Sequence, residues 1–279
     1  MTVRGRTIAV TGGARGIGRA TAEAFHHRGA RVVIGDLDAD LAAATATEID
    51  PTGDYVTGVG LDVTDSESFR RFVGIADTAG GLDVLINNAG IMPTGLFADE
   101  ASTMTDRLLA VNLRAVIDGS RLAVGLFVPR GSGHVINVAS LAGAFAIPAL
   151  ATYGATKSAV TTFTDALALE LRGTGVRATA VLPGLINTEL SAGANYPRWV
   201  GRLVAGEPED VANAMVRVVD SGRSGVVSVP RRAGSVIAAI GTLPRPIRLA
   251  VEDRAGLSTA FAHADPVLRE RYHRRMAGS

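Results

Sequence analysis

The sequence predicts one doubly wound α/β domain, built on a parallel sheet of about seven strands and followed by a C-terminal extension. Three observations carry that prediction. Short β-rich runs alternate with helical segments along most of the chain. The runs are continuously apolar rather than alternating, as in strands buried on both faces of a parallel sheet. The first run opens directly into a glycine-rich turn and a helix. At 279 residues the chain can form a single large domain with a deep core.

The elements follow in order. Thr7 to Val10 is the first strand, and the turn after it leads into a helix near 17–28. Arg31 to Ile34 is the second strand, with a helix near 38–48 behind it. Tyr55 to Val63 reads as the third, weakened by its glycines, and a helix near 65–78 follows. Asp83 to Ile86, His134 to Val138, and Val176 to Val181 are the fourth to sixth strands, separated by helices near 99–128 and 152–172. A helix near 208–220 and the strand Gly225 to Val229 complete a Rossmann-type domain over 1–230. The long connection 185–206 holds Pro197 and Trp199, and connections of that length are usually functional lids. Residues 231–279 carry Arg231-Arg232, the apolar run Val236 to Ile240, the breaker Pro244-Arg245-Pro246 and a final helical stripe of Leu268, Tyr272 and Met276. The stripe predicts an extension packed on the domain or on a partner subunit.

Composition excludes several functions. There are no cysteines, and the five histidines show no metal-ligand spacing, so no metal site is expected. A net charge of +1 offers no general argument for nucleic acid. No apolar run approaches the ~20 residues of a membrane span. A strand begins within six residues of Met1, leaving no room for a signal peptide, so the expectation is a soluble, cytoplasmic protein. Charge is uneven: residues 1–196 carry 15 basic and 19 acidic side chains, residues 197–279 carry 13 and 8. That basic excess keeps a membrane-surface contact through the extension in view, as the less favoured alternative to protein packing.

Chemistry enters with Lys157. It is the only lysine among 28 basic residues, and it stands four residues after Tyr153. Guanidinium is a broad planar fork and ammonium a compact point charge, so a lone lysine in an arginine-biased chain marks a position that needs the small cation. Four residues is one helical turn, placing both side chains on one face. A phenol beside a buried ammonium has a stabilised phenolate and becomes a usable acid or base near neutral pH. The turn Thr11-Gly12-Gly13-Ala14-Arg15-Gly16-Ile17-Gly18 lies between a strand and a helix, where the backbone can approach a pyrophosphate at the positive helix terminus. Eighteen residues beyond Gly18, Asp36 ends the second strand, where a carboxylate accepts both ribose hydroxyls and repels a 2′-phosphate.

These motifs, together with Asp62-Val63, Asn87-Asn88-Ala89-Gly90, Asn112, Ser140 and Pro183-Gly184 in that order, resemble the classical short-chain dehydrogenase/reductase family over roughly residues 4–230. The resemblance implies a nicotinamide-dependent oxidoreductase with Asn112, Ser140, Tyr153 and Lys157 as the catalytic set. It places Gly12, Arg15, Gly16, Ile17 and Gly18 at the cofactor phosphates and Asp36 at the adenosine ribose. Asp62 and Val63 fall near the adenine, and Asn88, Ala89 and Gly90 beside the cofactor ribose. Pro183, Gly184, Ile186 and Thr188 fall at the nicotinamide. Lys157 would also bond the nicotinamide ribose, Asn112 would prop a water chain from Lys157 to solvent, and Ser140 would orient the reacting oxygen.

Asp36 favours NAD over NADP, while Arg15 keeps an NADPH-dependent ketone or 3-oxoacyl reductase open as an alternative. A non-catalytic binding or regulatory protein of the same fold is a third reading, disfavoured by the intact catalytic set. The expected walls of the substrate site (Ile91, Met92, Pro93, Phe97, Leu141 to Leu150 and the 185–206 lid) are apolar or small. With no Arg or Lys at the Ser140–Tyr153 edge, they predict an apolar secondary alcohol or ketone. Family members commonly form dimers and tetramers, so a homo-oligomer is expected.

Overall fold

The computed structural model describes residues 2–191, 197–256 and 261. Its central sheet has seven parallel strands: β1 (Thr7–Thr11), β2 (Arg31–Asp36), β3 (Val56–Gly60), β4 (Leu82–Asn87), β5 (Gly133–Val138), β6 (Val176–Pro183) and β9 (Gly225–Val229). They lie in the order β3-β2-β1-β4-β5-β6-β9. The direction of winding reverses between β1 and β4, so a crevice opens beyond their carboxyl ends. Register fixes that edge: Val10 on β1 pairs with Ile34 on one side and Ile86 on the other, bringing Thr11, Asp36 and Asn87 to the same rim.

Helices α1 (Gly16–His26), α2 (Ala39–Ile49) and α8 (Pro208–Ser221) cover one face of the sheet. Helices α3 (Ser66–Thr78), α5 (Ala115–Arg130) and α6 (Ala151–Glu170) cover the other. Phe25 and Met215 fill the first layer and Phe69, Phe72 and Phe127 the second, all fully buried. Local chemistry sets the boundaries. Asp38 and Asp65 cap α2 and α3 by accepting the main-chain N–H groups of Leu41 and Glu67. Pro208 opens α8 behind a reciprocal Glu207–Asp210 capping box. Gly131 and Gly222 end α5 and α8 in the left-handed conformation. The glycines that weaken the third strand have a packing cause: a Cβ on Gly58 would lie 2.0 Å from the Ala42 carbonyl, so α2 rests directly on β3.

Two predicted segments are subdivided. The helix expected over 99–128 is α4 (Ser102–Leu109) and α5 joined by a π-helical turn, Ala110–Arg114, which contains Asn112. The described part of the 185–206 connection contains β7 (Leu185–Ile186), α7 (Arg198–Val204) and β8 (Ala205–Gly206), with β7 and β8 paired in parallel. Beyond β9 come α9 (Arg231–Gly241) and α10 (Arg245–Arg254). Ala233 and Ile237 of α9 pack into a cluster with Leu141, Val160 and Leu182. The stripe Leu268, Tyr272 and Met276 lies outside the described residues. No described helix is long and apolar enough to cross a membrane.

Candidate active site

The crevice at the sheet's carboxyl edge is a cleft of about 1100 Å³, running from the Gly12 turn to Phe261. At one end the strand–turn–helix after β1 is built for close approach. Gly12 and Gly16 have φ of 62° and 52°, conformations that suit glycine. A Cβ on Gly12 would lie 2.9 Å from Ala89 Cα, and one on Gly18 would lie 2.0 Å from the Gly12 carbonyl. Gly18 therefore does not face the cleft; it lets α1 sit against the turn. Thr11 Oγ1 accepts the N–H groups of Asn88 and Ala89, both at 3.0 Å. The Asn88 amide returns two bonds of 3.0 Å, to the carbonyls of Thr11 and Gly12. The ends of β1 and β4 are thereby fastened into one wall.

The first turn of α1 has no acidic residue, and its N-cap Arg15 makes no side-chain cap, so no side chain of the turn itself competes with an anion at this helix terminus. Arg15 is held 3.4 Å from Asp38. Asp36 is fixed at the rim by the Ala14 N–H, 3.1 Å from Oδ2, and by the Asp38 N–H, 3.3 Å from Oδ1. Asp62 accepts the N–H and hydroxyl of Thr64, at 2.8 and 2.7 Å, and lines the cleft beside Val63. The glycine cradle, open helix terminus and rim carboxylate fit a dinucleotide.

Ser140, Tyr153 and Lys157 converge on the middle of the cleft, and all three are buried. Ser140 ends the segment after β5, and its Oγ accepts the Ala142 N–H at 3.1 Å, which leaves the hydroxyl proton free to donate. Tyr153 and Lys157 share a face of α6, with Nζ 5.8 Å from the phenol ring centre. Lys157 is 4% exposed and donates to the Val138 carbonyl at 2.9 Å. Burial pushes its ammonium down from 10.5 to about 8. A Cβ on Gly90 would press on Asn112 Oδ1 at 3.3 Å and make ordinary contact with Lys157 Nζ at 3.5 Å, so the backbone of this turn runs close against both side chains.

Asn112 is fully buried behind the wall rather than on it. Its Oδ1 accepts the Ile91 N–H at 2.9 Å and its Nδ2 donates to the Ile91 carbonyl at 2.8 Å. This double bond to main chain accompanies the π-helical turn that carries it. Pro183, Gly184, Ile186 and Thr188 line the cleft on the β6 side. A Cβ on Gly184 would meet the Val204 carbonyl at 2.1 Å, so the strand end passes tightly under α7.

The far end is mainly apolar. Met92, Leu150, Tyr153 and Phe261 belong to one buried cluster, with Ile147 and Leu185 against it. Sequence proximity did not suggest two features of this end. Arg107 on α4 and Arg248 on α10 line the cleft, although neither is near Ser140 or Tyr153 in the chain. Val236, Ile237 and Ile240 of α9 line it too. Only the apolar character of 236–240 hinted at burial; nothing hinted at which surface it would cover.

Comparison with known proteins identifies the family. A family model of the short chain dehydrogenase matches residues 6–198. The chain is 39% identical over 220 residues to the 2,5-dichloro-2,5-cyclohexadiene-1,4-diol dehydrogenase LinX of Sphingobium indicum, across 75% of this chain and 86% of that one. It is 38% identical over 216 residues to a 3-alpha-(or 20-beta)-hydroxysteroid dehydrogenase of Mycobacterium tuberculosis, across 76% and 81%. A crystal structure from Agrobacterium tumefaciens, provisionally named a gluconate dehydrogenase, superposes with a TM-score of 0.73 at 28% identity, covering 83% of this chain and 97% of that one. Fold, cleft and relatives together place the chain in the classical short-chain dehydrogenase/reductase family, as a nicotinamide-dependent oxidoreductase acting on CH–OH groups.

Proposed function

We propose that the protein oxidises an apolar secondary alcohol with NAD, Tyr153 acting as general base in that direction and as general acid in reverse. The observation that carries this reading is one secluded ammonium, Lys157, on the same helical face as one buried phenol, at the wall of a cleft shared with Ser140. A bound nicotinamide supplies the hydride acceptor or donor. The chain's own residues handle the proton and the geometry. Ser140, its oxygen already engaged by the Ala142 N–H, donates to the substrate oxygen and orients it. Tyr153 takes the hydroxyl proton. Lys157, held where water is excluded, stabilises the resulting phenolate and so lowers the phenol's proton affinity, the direction this role requires. Asn112 holds the Ile91 segment that borders the site.

The turn residues Gly12, Arg15, Gly16 and Ile17 would hold the pyrophosphate, with Gly18 packing beneath them. Asp36 would take the adenosine ribose, Asp62 and Val63 the adenine, and Asn88, Ala89 and Gly90 the second ribose. Pro183, Gly184, Ile186 and Thr188 would border the nicotinamide. NAD is favoured over NADP because Asp36 stands at the rim, whereas Arg15, the cation that could attract a 2′-phosphate, is engaged by Asp38. The apolar far wall supports an apolar substrate, and two relatives are named for hydroxyls on carbocyclic skeletons. A homo-oligomer belongs to the same reading, since β9 is an edge strand with Val226 exposed. The test is reduction of NAD and NADP by a graded panel of cyclic and acyclic secondary alcohols. NAD reduction that improves with apolar bulk supports the reading. NADP preference, or turnover of polar sugar alcohols alone, overturns it.

A further inference from the structure

The cleft is roofed on its apolar side by α7, α9 and α10. Each contributes residues to the cleft wall: Leu203 from α7, Ile237 from α9 and Val251 from α10. The helices are also joined to one another. A Cβ on Gly256, just past α10, would meet Pro197, just before α7, at 3.0 Å, and α7 packs on α9. They form one layer whose inner face belongs to the site.

The outer face of that layer combines two properties. It exposes large apolar side chains: Trp199 and Ile247 are each 52% exposed, and Val236 and Leu249 are exposed as well. It is also strongly basic. Of the described side chains on the three helices, Arg198, Arg202, Arg231, Arg232, Arg245 and Arg254 are exposed, against Asp253 as the exposed acid. The first 196 residues have the opposite balance, with acids in excess. Trp199 and Val236 are at once exposed and part of the cleft wall, so the apolar patch reaches the mouth of the cleft. An indole among arginines and aliphatic side chains, beside an apolar opening, suits the boundary between anionic headgroups and acyl chains.

We propose that the outer face of α7, α9 and α10 docks on an anionic membrane surface, with the mouth of the cleft at the lipid boundary, so that an apolar substrate enters from the bilayer rather than from water. The substrate part of this statement rests on the reading of the cleft as an apolar-alcohol site; the docking part does not. The charge complementarity selects a bilayer over a second copy of this chain, because two such faces would bring like charges together.

Trp199 is the only tryptophan in the chain, so its fluorescence reports on this face alone. The experiment incubates the full chain with vesicles of phosphatidylcholine, or of equimolar phosphatidylcholine and phosphatidylglycerol, and measures sedimentation and emission. The proposal expects binding to the anionic vesicles only, weakened by salt, with a blue shift of Trp199 and quenching by brominated lipid. Each arginine near an anionic surface is worth about 1 kcal/mol, so the double variant Arg231→Gln/Arg232→Gln should lower partitioning about thirty-fold. Its dinucleotide affinity should be unchanged, which verifies that it is folded. Failure to bind anionic vesicles overturns the proposal. Undiminished binding by the double variant also overturns it, as does a blue shift that follows protein concentration without lipid, the signature of a second copy. No arm requires turnover, so failure here is distinguishable from failure of the dehydrogenase reading.

Discussion

The ammonium of Lys157 on α6 donates to the main-chain carbonyl of Val138, the last residue of β5, across 2.9 Å. That bond ties the helix carrying the phenol to the strand that leads to Ser140. It also holds a cation where water is excluded, which explains both the use of a compact side chain and its lowered proton affinity.

A stability measurement follows from that affinity. Burial brings Lys157 to about 8, against 10.5 for the ordinary group. Below pH 8 both folded and unfolded states hold the proton, and the folded state bears the full desolvation penalty. Between about 8 and 10.5 only the unfolded state holds it, so stability rises with pH across this window. Unfolding of the cofactor-free wild type should therefore gain on the order of 3 kcal/mol relative to Lys157→Met across the window. A pH-independent difference between the two proteins would contradict the buried, charged assignment.

Replacing the cation by a larger one tests geometry apart from charge. Lys157→Arg keeps the positive charge but cannot occupy the space bounded by Gly90 and Val138 unchanged. Turnover should drop by about a hundredfold or more, with the fold retained by circular dichroism. Near-normal turnover would remove the compact ammonium from the account.

Cofactor choice rests on Asp36. A carboxylate about 5 Å from a phosphate repels it by about 3 kcal/mol per unit charge at a dielectric of 20, less with solvent screening. Asp36→Ala should therefore move the NAD to NADP ratio of kcat/KM towards NADP by at least about tenfold. An unchanged ratio would mean that Asp36 does not face the ribose.

Two glycine substitutions should have opposite effects. Gly18→Ala places a methyl 2.0 Å from the Gly12 carbonyl and 2.7 Å from the Asn88 amide, so it should cost about 1–3 kcal/mol and weaken dinucleotide binding. Gly74→Ala sits at an exposed position of α3 with nothing within 4 Å, and should stabilise by about 0.5–1 kcal/mol without touching the cofactor. Thermal melts and cofactor titrations separate the two.

The contrast between what the sequence reveals and what it hides has physical causes. The strands were legible because burial on both faces demands uninterrupted apolar runs, as in Val84-Leu85-Ile86 and Ala180-Val181-Leu182. The phosphate turn and the Tyr153–Lys157 spacing were legible because each is a local pattern within one turn. The π-helical turn at Asn112 was not, because it goes with side-chain bonds to Ile91, twenty-one residues away. Nor was the placement of Arg107, Arg248 or α9 along the cleft, since an amphipathic helix records that it packs but not against what. Trp199 was read only as part of a lid; its place beside the basic face of α9 and α10 depends on the Gly256–Pro197 contact.

The central claim is that Tyr153 moves the proton. Its most direct test compares the wild type with Tyr153→Phe, following NAD reduction by an apolar secondary alcohol from pH 6 to 10 under conditions where chemistry limits the rate. Wild-type oxidation should climb with pH to a plateau as the phenol ionises, the phenolate in turn holding on Lys157 the proton that the cofactor-free enzyme loses above about 8. The variant, with dinucleotide affinity unchanged, should lose about a hundred- to ten-thousandfold in turnover together with that pH dependence. A Tyr153→Phe enzyme with near-wild-type turnover, or a wild type whose rate is flat across this range, would contradict the account.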